Sequence, residues 1–200
     1  MNKISDYKNI NDERTDTDEI ATLKVNYKDV LDLKYLYLLM HEWLVEEGYA
    51  PSDDSAFEEI FYYQKEDPNA GNFYHFKWRF DKNPPNTSLW KYQLEVDTMV
   101  LTMKDVELAV KGKKVKAQKG EVEVSIKGLI KSDPNNKFDN KLLKPFKTYI
   151  FKKLLRKQSD HYADTLKTDL IRFQEAIKSY LKIETYLPER EYADFWRQAP

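Results

Sequence analysis

The sequence predicts an α+β domain: a single antiparallel sheet of about six or seven strands, with two or three helices packed on one face. Three observations carry this. Aromatic and aliphatic residues alternate with polar ones through 73–80 and 90–96, the period of a half-buried strand. Apolar residues recur at three- and four-residue spacing in 33–44 and again in 143–181, the period of a helix with one buried stripe. Turn signals, DPNAG at 67–71 and NPPNTS at 83–88, join consecutive strand patterns.

Taken in order, residues 1–20 are polar, acidic and without periodicity, and read as an arm outside the domain. In ATLKVNYK, Leu23, Val25 and Tyr27 alternate against polar neighbours, as in a strand. Leu33, Leu36, Met40, Trp43 and Leu44 then follow helical spacing. Asp29 or Asp32 can cap that helix, because a short carboxylate accepts the free amide hydrogens of a first turn. Gly48 supplies a left-handed exit and Pro51 forbids continuation.

Residues 57–66, FEEIFYYQKE, fit either a strand or a helix, and their aromatic and β-branched content favours a strand. Next, Tyr74, Phe76, Trp78 and Phe80 point one way, and His75, Lys77, Arg79 and Asp81 the other. Trp90, Tyr92, Leu94 and Val96 repeat the alternation, whose parity slips near Thr98 to Leu101, where a bulge or the strand's end is expected. Val106, Leu108 and Val110 form one arm of a hairpin and Val115 and Ala117 the other, turning at Lys111–Gly112 or Gly112–Lys113. QKGE at 118–121 reads as a second turn, and Val122, Val124 and Ile126 as a further strand.

After the loop 132–140, Leu143, Phe146, Ile150 and Leu154 stand at helical spacing, with Pro145 tolerable only in a first turn. Tyr162, Leu166, Leu170, Phe173, Ile177 and Leu181 form another helical pattern, capped by Ser159 or Asp160 or continuous with the first through a kink. Residues 21–183 thus form one domain, and 184–200 a polar tail carrying Tyr192, Phe195 and Trp196.

The chain has 200 residues and a formal net charge of −1. That balance conceals a polarity: residues 1–60 carry a net −9 and residues 104–157 a net +10. There is no cysteine, which removes disulfides, thiol nucleophiles and cysteine zinc sites. No apolar run reaches the roughly 18 residues of a membrane span, and the N-terminus has no apolar signal core. The expected location is the cytoplasm or a virion, without a secretory signal or a membrane partner.

Catalytic patterns are scarce. The five glycines are scattered and form no phosphate-binding loop. His41, His75 and His161 have no second histidine at ligand spacing, so no metal or cofactor is expected. Ser159, Asp160 and His161 are adjacent on a helix and point apart, which is not a triad. Glu46–Glu47, Asp53–Asp54 and Glu58–Glu59 are sequence neighbours in an acidic stretch, the pattern of solvated charge.

The basic stretch can neutralise phosphates, but Arg156 is its only arginine, so bidentate guanine readout is mostly missing. Lysines on the hairpin (Lys111, Lys113, Lys114 and Lys116) and the C-terminal Tyr192, Phe195 and Trp196 are the candidate partner-binding residues. The partners they suit are other protein subunits, including copies of the same chain meeting head to tail, acidic face on basic face.

YKDVLDLKYLYLLMHEWLVEEGYA at 27–50 together with KGEVEVSIKGLIKSDPNNKF at 119–138 resembles small uncharacterised α+β proteins of tailed viruses and archaea. The likeness is one of helix and hairpin texture and transfers no site residue. It implies a virion or assembly component. The expectation is a non-enzymatic structural or interaction subunit of a larger protein assembly, such as a phage tail, baseplate or head-completion protein. The alternative is a non-specific nucleic-acid-binding accessory protein using the basic 104–157 surface.

Overall fold

A computed structural model describes residues 17–53, 56–110, 113–138, 140 and 142–184. In chain order the elements are β1 (Thr17–Leu31), α1 (Leu33–Glu46), β2 (Glu59–Lys65), β3 (Asn72–Lys82), β4 (Trp90–Val110), β5 (Lys113–Ser132), α2 (Lys144–Tyr149) and α3 (Arg156–Glu184). A π-helical turn, Ile150–Leu154, follows α2. The strands form one antiparallel sheet in the order β1-β5-β4-β3-β2. The α+β class and the single sheet are as expected, but there are five strands, not six or seven.

The difference has a physical cause. The apolar alternation slips near Thr98 to Leu101, and its parity changes between Ala117 and Val122. Each change suggests a strand end. In the structure β4 instead passes through a bulge between Leu101 and Lys104, with Thr102 at φ 54°. β5 continues straight through Gly120, so the expected turn at 118–121 is strand. The pairing of Val110 with Lys113 leaves 111 and 112 between the strands, in agreement with the first of the two hairpin registers.

Two boundaries also move. Thr17 to Ile20, expected in the arm, are the first residues of β1, and Thr17, Asp18 and Glu19 pair with β5. Ser159 and Asp160, expected as caps unless the two helical patterns ran on through a kink, lie inside α3, which starts at Arg156 just after the π turn. Residues 1–16 and 185–200 lie outside the described residues, and with them Tyr192, Phe195 and Trp196.

The helices cover one face of the sheet. Phe76, Trp78 and Phe80 of β3, Tyr92, Leu94 and Val96 of β4, and Val122, Val124 and Ile126 of β5 are buried there. Leu36, Met40 and Leu44 of α1 and Leu166, Leu170, Phe173 and Ile177 of α3 close the core. The Asp32 carboxylate accepts the Tyr35 N–H at 3.1 Å and starts α1. Gly48, at φ 70°, ends it, and the N–H groups of Tyr49 and Ala50 both return to the Leu44 carbonyl. Trp43 then stacks on Phe173 at 4.4 Å, and the Tyr49 hydroxyl donates to Asp169 at 2.9 Å, fixing α1 on α3.

The face turned away from the helices is polar and closed by ion pairs between strands. Lys77 meets Asp97 at 2.7 Å, Arg79 meets Glu95 at 2.8 Å and Lys28 meets Glu121 at 3.1 Å, each directly across the ladder.

Candidate functional site

Two surfaces depart from this economy. The first is β2. All of its seven residues are exposed, including Ile60, Phe61, Tyr62 and Tyr63. Its interior, Ile60 to Tyr63, is apolar or aromatic with no polar alternation, so neither face of that stretch is a solvent face by composition. Phe61 lies edge-on to His75 at 5.0 Å, and Tyr63 to Phe73 at 5.9 Å, which fixes both on the ion-paired side of the sheet. Tyr62 points to the other side, with its hydroxyl donating to Gln64 Oε1 at 3.0 Å. β2 is an edge strand, and among the described residues no element lies beyond it. The opposite edge is different: on β1 the Lys24 carbonyl accepts from Gln174 Nε2 of α3 at 2.9 Å.

The second surface is the outer side of α2 and the π turn. Pro145 sits in the first turn, as the sequence requires. The expected apolar positions do not turn inward, however. Leu143, Phe146 and Leu154 are exposed, as are Leu142 and Tyr149, and Ile150 is half-buried. The buried positions are Lys147 and Phe151. Phe151 packs edge-on against Trp90 and Phe138. Lys147 reaches Asp133, whose carboxylate also accepts the backbone N–H groups of Lys137 and Phe138 at 2.7 and 3.0 Å.

The charged stretches are rearranged by the fold. β1 lies along β5, so part of the acidic stretch borders the basic one in the same copy, with Glu19 on Lys127 at 3.0 Å. The Thr22 hydroxyl and the Lys127 bond hold the Glu19 carboxyl below its usual range. The basic stretch itself is divided. Lys113, Lys114 and Lys116 stand at one end of the 20-residue β5, opposite Val110, Ala109 and Glu107. Lys144, Lys152, Lys153 and Arg156 follow its other end, about 60 Å away along the strand. Lys111 lies outside the described residues.

His75 Nε2 is 2.8 Å from Asp97, and Ser125 lies across from Asp97 on β5. The carboxylate therefore stands between serine and imidazole, whereas a nucleophilic relay needs the imidazole in the middle. Among the described residues no group of three or more His, Asp or Glu could hold a metal ion. A hollow of about 540 Å³ on the open face is lined by Glu19, Arg79, Asp81, Lys91, Glu95 and Lys127, which already neutralise one another. No described helix is long and apolar enough to cross a membrane.

The lysine hairpin and the aromatic tail were legible as candidates because charge and aromatic density stand out in a sequence. The β2 edge and the outer face of α2 were not. The available signal for β2 was the unalternated run Ile60 to Tyr63.

No family model matches the chain, and no curated protein matches it. Among solved structures, a delta-endotoxin is similar at 12% identity with a TM-score of 0.36. The match covers 59% of this chain and 61% of that one.

Proposed function

We propose that the chain is a non-enzymatic subunit of a larger protein assembly, a virion part of the tail, baseplate or head-completion kind. The observation that carries the assembly role is β2, a strand at the sheet's edge with aromatic side chains exposed on both of its faces. An open edge presents unpaired backbone N–H and C=O groups, a template on which another chain adds a strand. Sheets that do not use such an edge blunt it with charge, proline, a bulge or a covering element. β2 has a bulge at Ile60, but its interior, Ile60 to Tyr63, carries no charge or proline, and among the described residues no element covers it.

The outward apolar side of α2 and the π turn supports the same reading, as a second contact. The hairpin lysines and Tyr192, Phe195 and Trp196 are further contact points in it. The virion assignment rests on the resemblance carried by residues 27–50 and 119–138. A nucleic-acid role is less well supported, because the basic stretch is split between the two ends of β5 and some of its cations, Lys127 and Lys147, are already paired to carboxylates.

Light scattering over a concentration series tests the reading. The expected result is a mass that rises above the 23.9 kDa of one chain as concentration increases. A strict monomer throughout, together with salt-sensitive binding of duplex DNA, would overturn it in favour of the nucleic-acid reading.

A further inference from the structure

We propose that the outward side of α2 and the π turn lies on an anionic phospholipid surface, with its leucines and aromatic rings at the headgroup layer and its lysines on the lipid phosphates. This goes beyond the assembly reading, which β2 carries, and gives the contact surface on α2 a partner of its own. It departs from the expectation of no membrane partner, which followed from the lack of a spanning segment. A helix that lies along a bilayer needs no spanning length.

Two chemistries meet on this one surface. Phe146 and Tyr149, three residues apart, share the side of α2 turned away from the buried Lys147 and Phe151. Leu142 precedes them and Leu154 closes the π turn. These two are the most exposed of the large apolar side chains among the described residues, at 83% and 71%. From 141 to 159 the sequence has seven Lys or Arg and no carboxylate. Lys147 is engaged by Asp133, and Arg156 reaches Asp160 at 3.8 Å. Lys144, Lys152, Lys153 and Lys157 are exposed and pair with no carboxylate among the described residues. The sheet shows the reverse pattern: Lys24, Lys28, Lys77, Lys91 and Lys127 each meet a carboxylate on a neighbouring strand.

The occupant follows from that combination. Nucleic acid uses the lysines, but Leu142, Leu143 and Leu154 offer a phosphate backbone nothing. Protein interfaces are depleted in lysine and favour arginine as their cation. Here Lys144, Lys152, Lys153 and Lys157 stand beside a single exposed arginine, Arg156. A bilayer surface uses both chemistries at once. Its headgroup boundary takes leucine, phenylalanine and tyrosine side chains, and its anionic field attracts lysines without demanding a fixed geometry. Long lysine stems lie along the apolar layer while their ammonium groups stay in water. Binding of this kind grows with the apolar area inserted and with the opposite charge, so it weakens if either is removed and as salt rises.

Co-sedimentation of the full-length chain with vesicles tests the proposal. One set is phosphatidylcholine alone, and the other contains about one-third phosphatidylserine. The wild type is expected to bind the second set and not the first, and to be released as salt rises. The double variant Leu142→Ser, Leu154→Ser is expected to bind anionic vesicles at least about tenfold more weakly. Lys152→Gln with Lys153→Gln is expected to lose at least about tenfold as well. All four side chains are exposed, and circular dichroism checks that each variant keeps the fold. Lys113→Gln with Lys114→Gln, at the far end of β5, is expected to bind as the wild type does. A leucine variant that binds as tightly as the wild type, or an equal loss from the hairpin variant, would show attraction of charge alone and overturn the proposal. Failure of the wild type to bind either set also overturns it. In that case, a light-scattering mass that rises for the wild type but not for the leucine variant assigns the α2 surface to protein. Duplex DNA bound equally by those two assigns the lysines to nucleic acid. The assembly reading is read without vesicles, from the wild-type concentration series, so either proposal can fail while the other stands.

Discussion

Lys147 Nζ lies 3.2 Å from Asp133 Oδ2, with both residues buried and Asp133 only 1% exposed. Asp133 sits at φ 52° directly after β5, and its carboxylate gathers two backbone N–H groups as well as the ammonium. A carboxylate withdrawn from water is stabilised only if its lone pairs are satisfied. The pair thus joins the end of the sheet to the first turn of α2 and fixes which side of that helix faces in.

Removing one partner leaves a buried charge or unsatisfied amides. Asp133→Ala is expected to cost about 3 kcal/mol in a urea titration. Lys147→Ala is expected to cost much less in the Asp133→Ala background than in the wild type. Equal costs in both backgrounds would show that the two residues do not interact.

The orientation of α2 makes its own prediction. Leu154 sits where helical periodicity suggests core, yet it is 71% exposed, while Phe151 is 8% exposed. Leu154→Ser is expected to change stability by less than about 0.5 kcal/mol, and Phe151→Ala to cost about 3 kcal/mol. The reverse order would place the sequence-expected stripe inward after all.

This segment shows where sequence periodicity stops being informative. The stripe of α3 was legible because Leu166, Leu170, Phe173 and Ile177 are apolar amid polar neighbours and all of them are buried. Likewise Phe76, Trp78 and Phe80 declared the helix-covered face of the sheet. In α2 both sides carry large apolar groups, so periodicity alone cannot choose between them. The choice is made by an ion pair to a residue eleven positions before Pro145's neighbour Lys144, a long-range term absent from any local window. β2 was hidden for a related reason: an edge strand with aromatics on both faces has the composition of a buried one, and only its place in the strand order exposes it.

Gly71 and Gly48 both have positive φ, 95° and 70°, but in different surroundings. A Cβ at Gly71 would lie 2.8 Å from the carbonyl carbon of Thr102, the backbone of the β4 bulge. A Cβ at Gly48 would meet nothing within 4 Å. Gly48→Ala is expected to cost about 1 kcal/mol, the conformational penalty alone. Gly71→Ala is expected to cost at least about 2 kcal/mol, because backbone must shift as well. Thermal melts of the two variants compare them directly, and equal losses would mean that the bulge yields freely.

Alkaline pH tests the packing of Tyr92. Burial, reinforced by the Asp169 carboxylate, pushes its phenol up to about 12 from the usual 10.0. Burial and the same carboxylate also raise Tyr49. A raised phenol keeps its proton in the folded chain while the unfolded chain releases it. The resulting stability is therefore complete below pH 10 and is lost as pH rises through the folded value. Within the window from pH 10 to about 12, Tyr92 lowers stability by up to about 1.4 kcal/mol per pH unit. Tyr92→Phe has no phenol to ionise. Its urea midpoint is expected to fall less than that of the wild type between pH 9 and pH 11, both values being about one unit from the ordinary phenol value. An identical fall in the two proteins would mean that the Tyr92 hydroxyl ionises as readily in the fold as in the open chain.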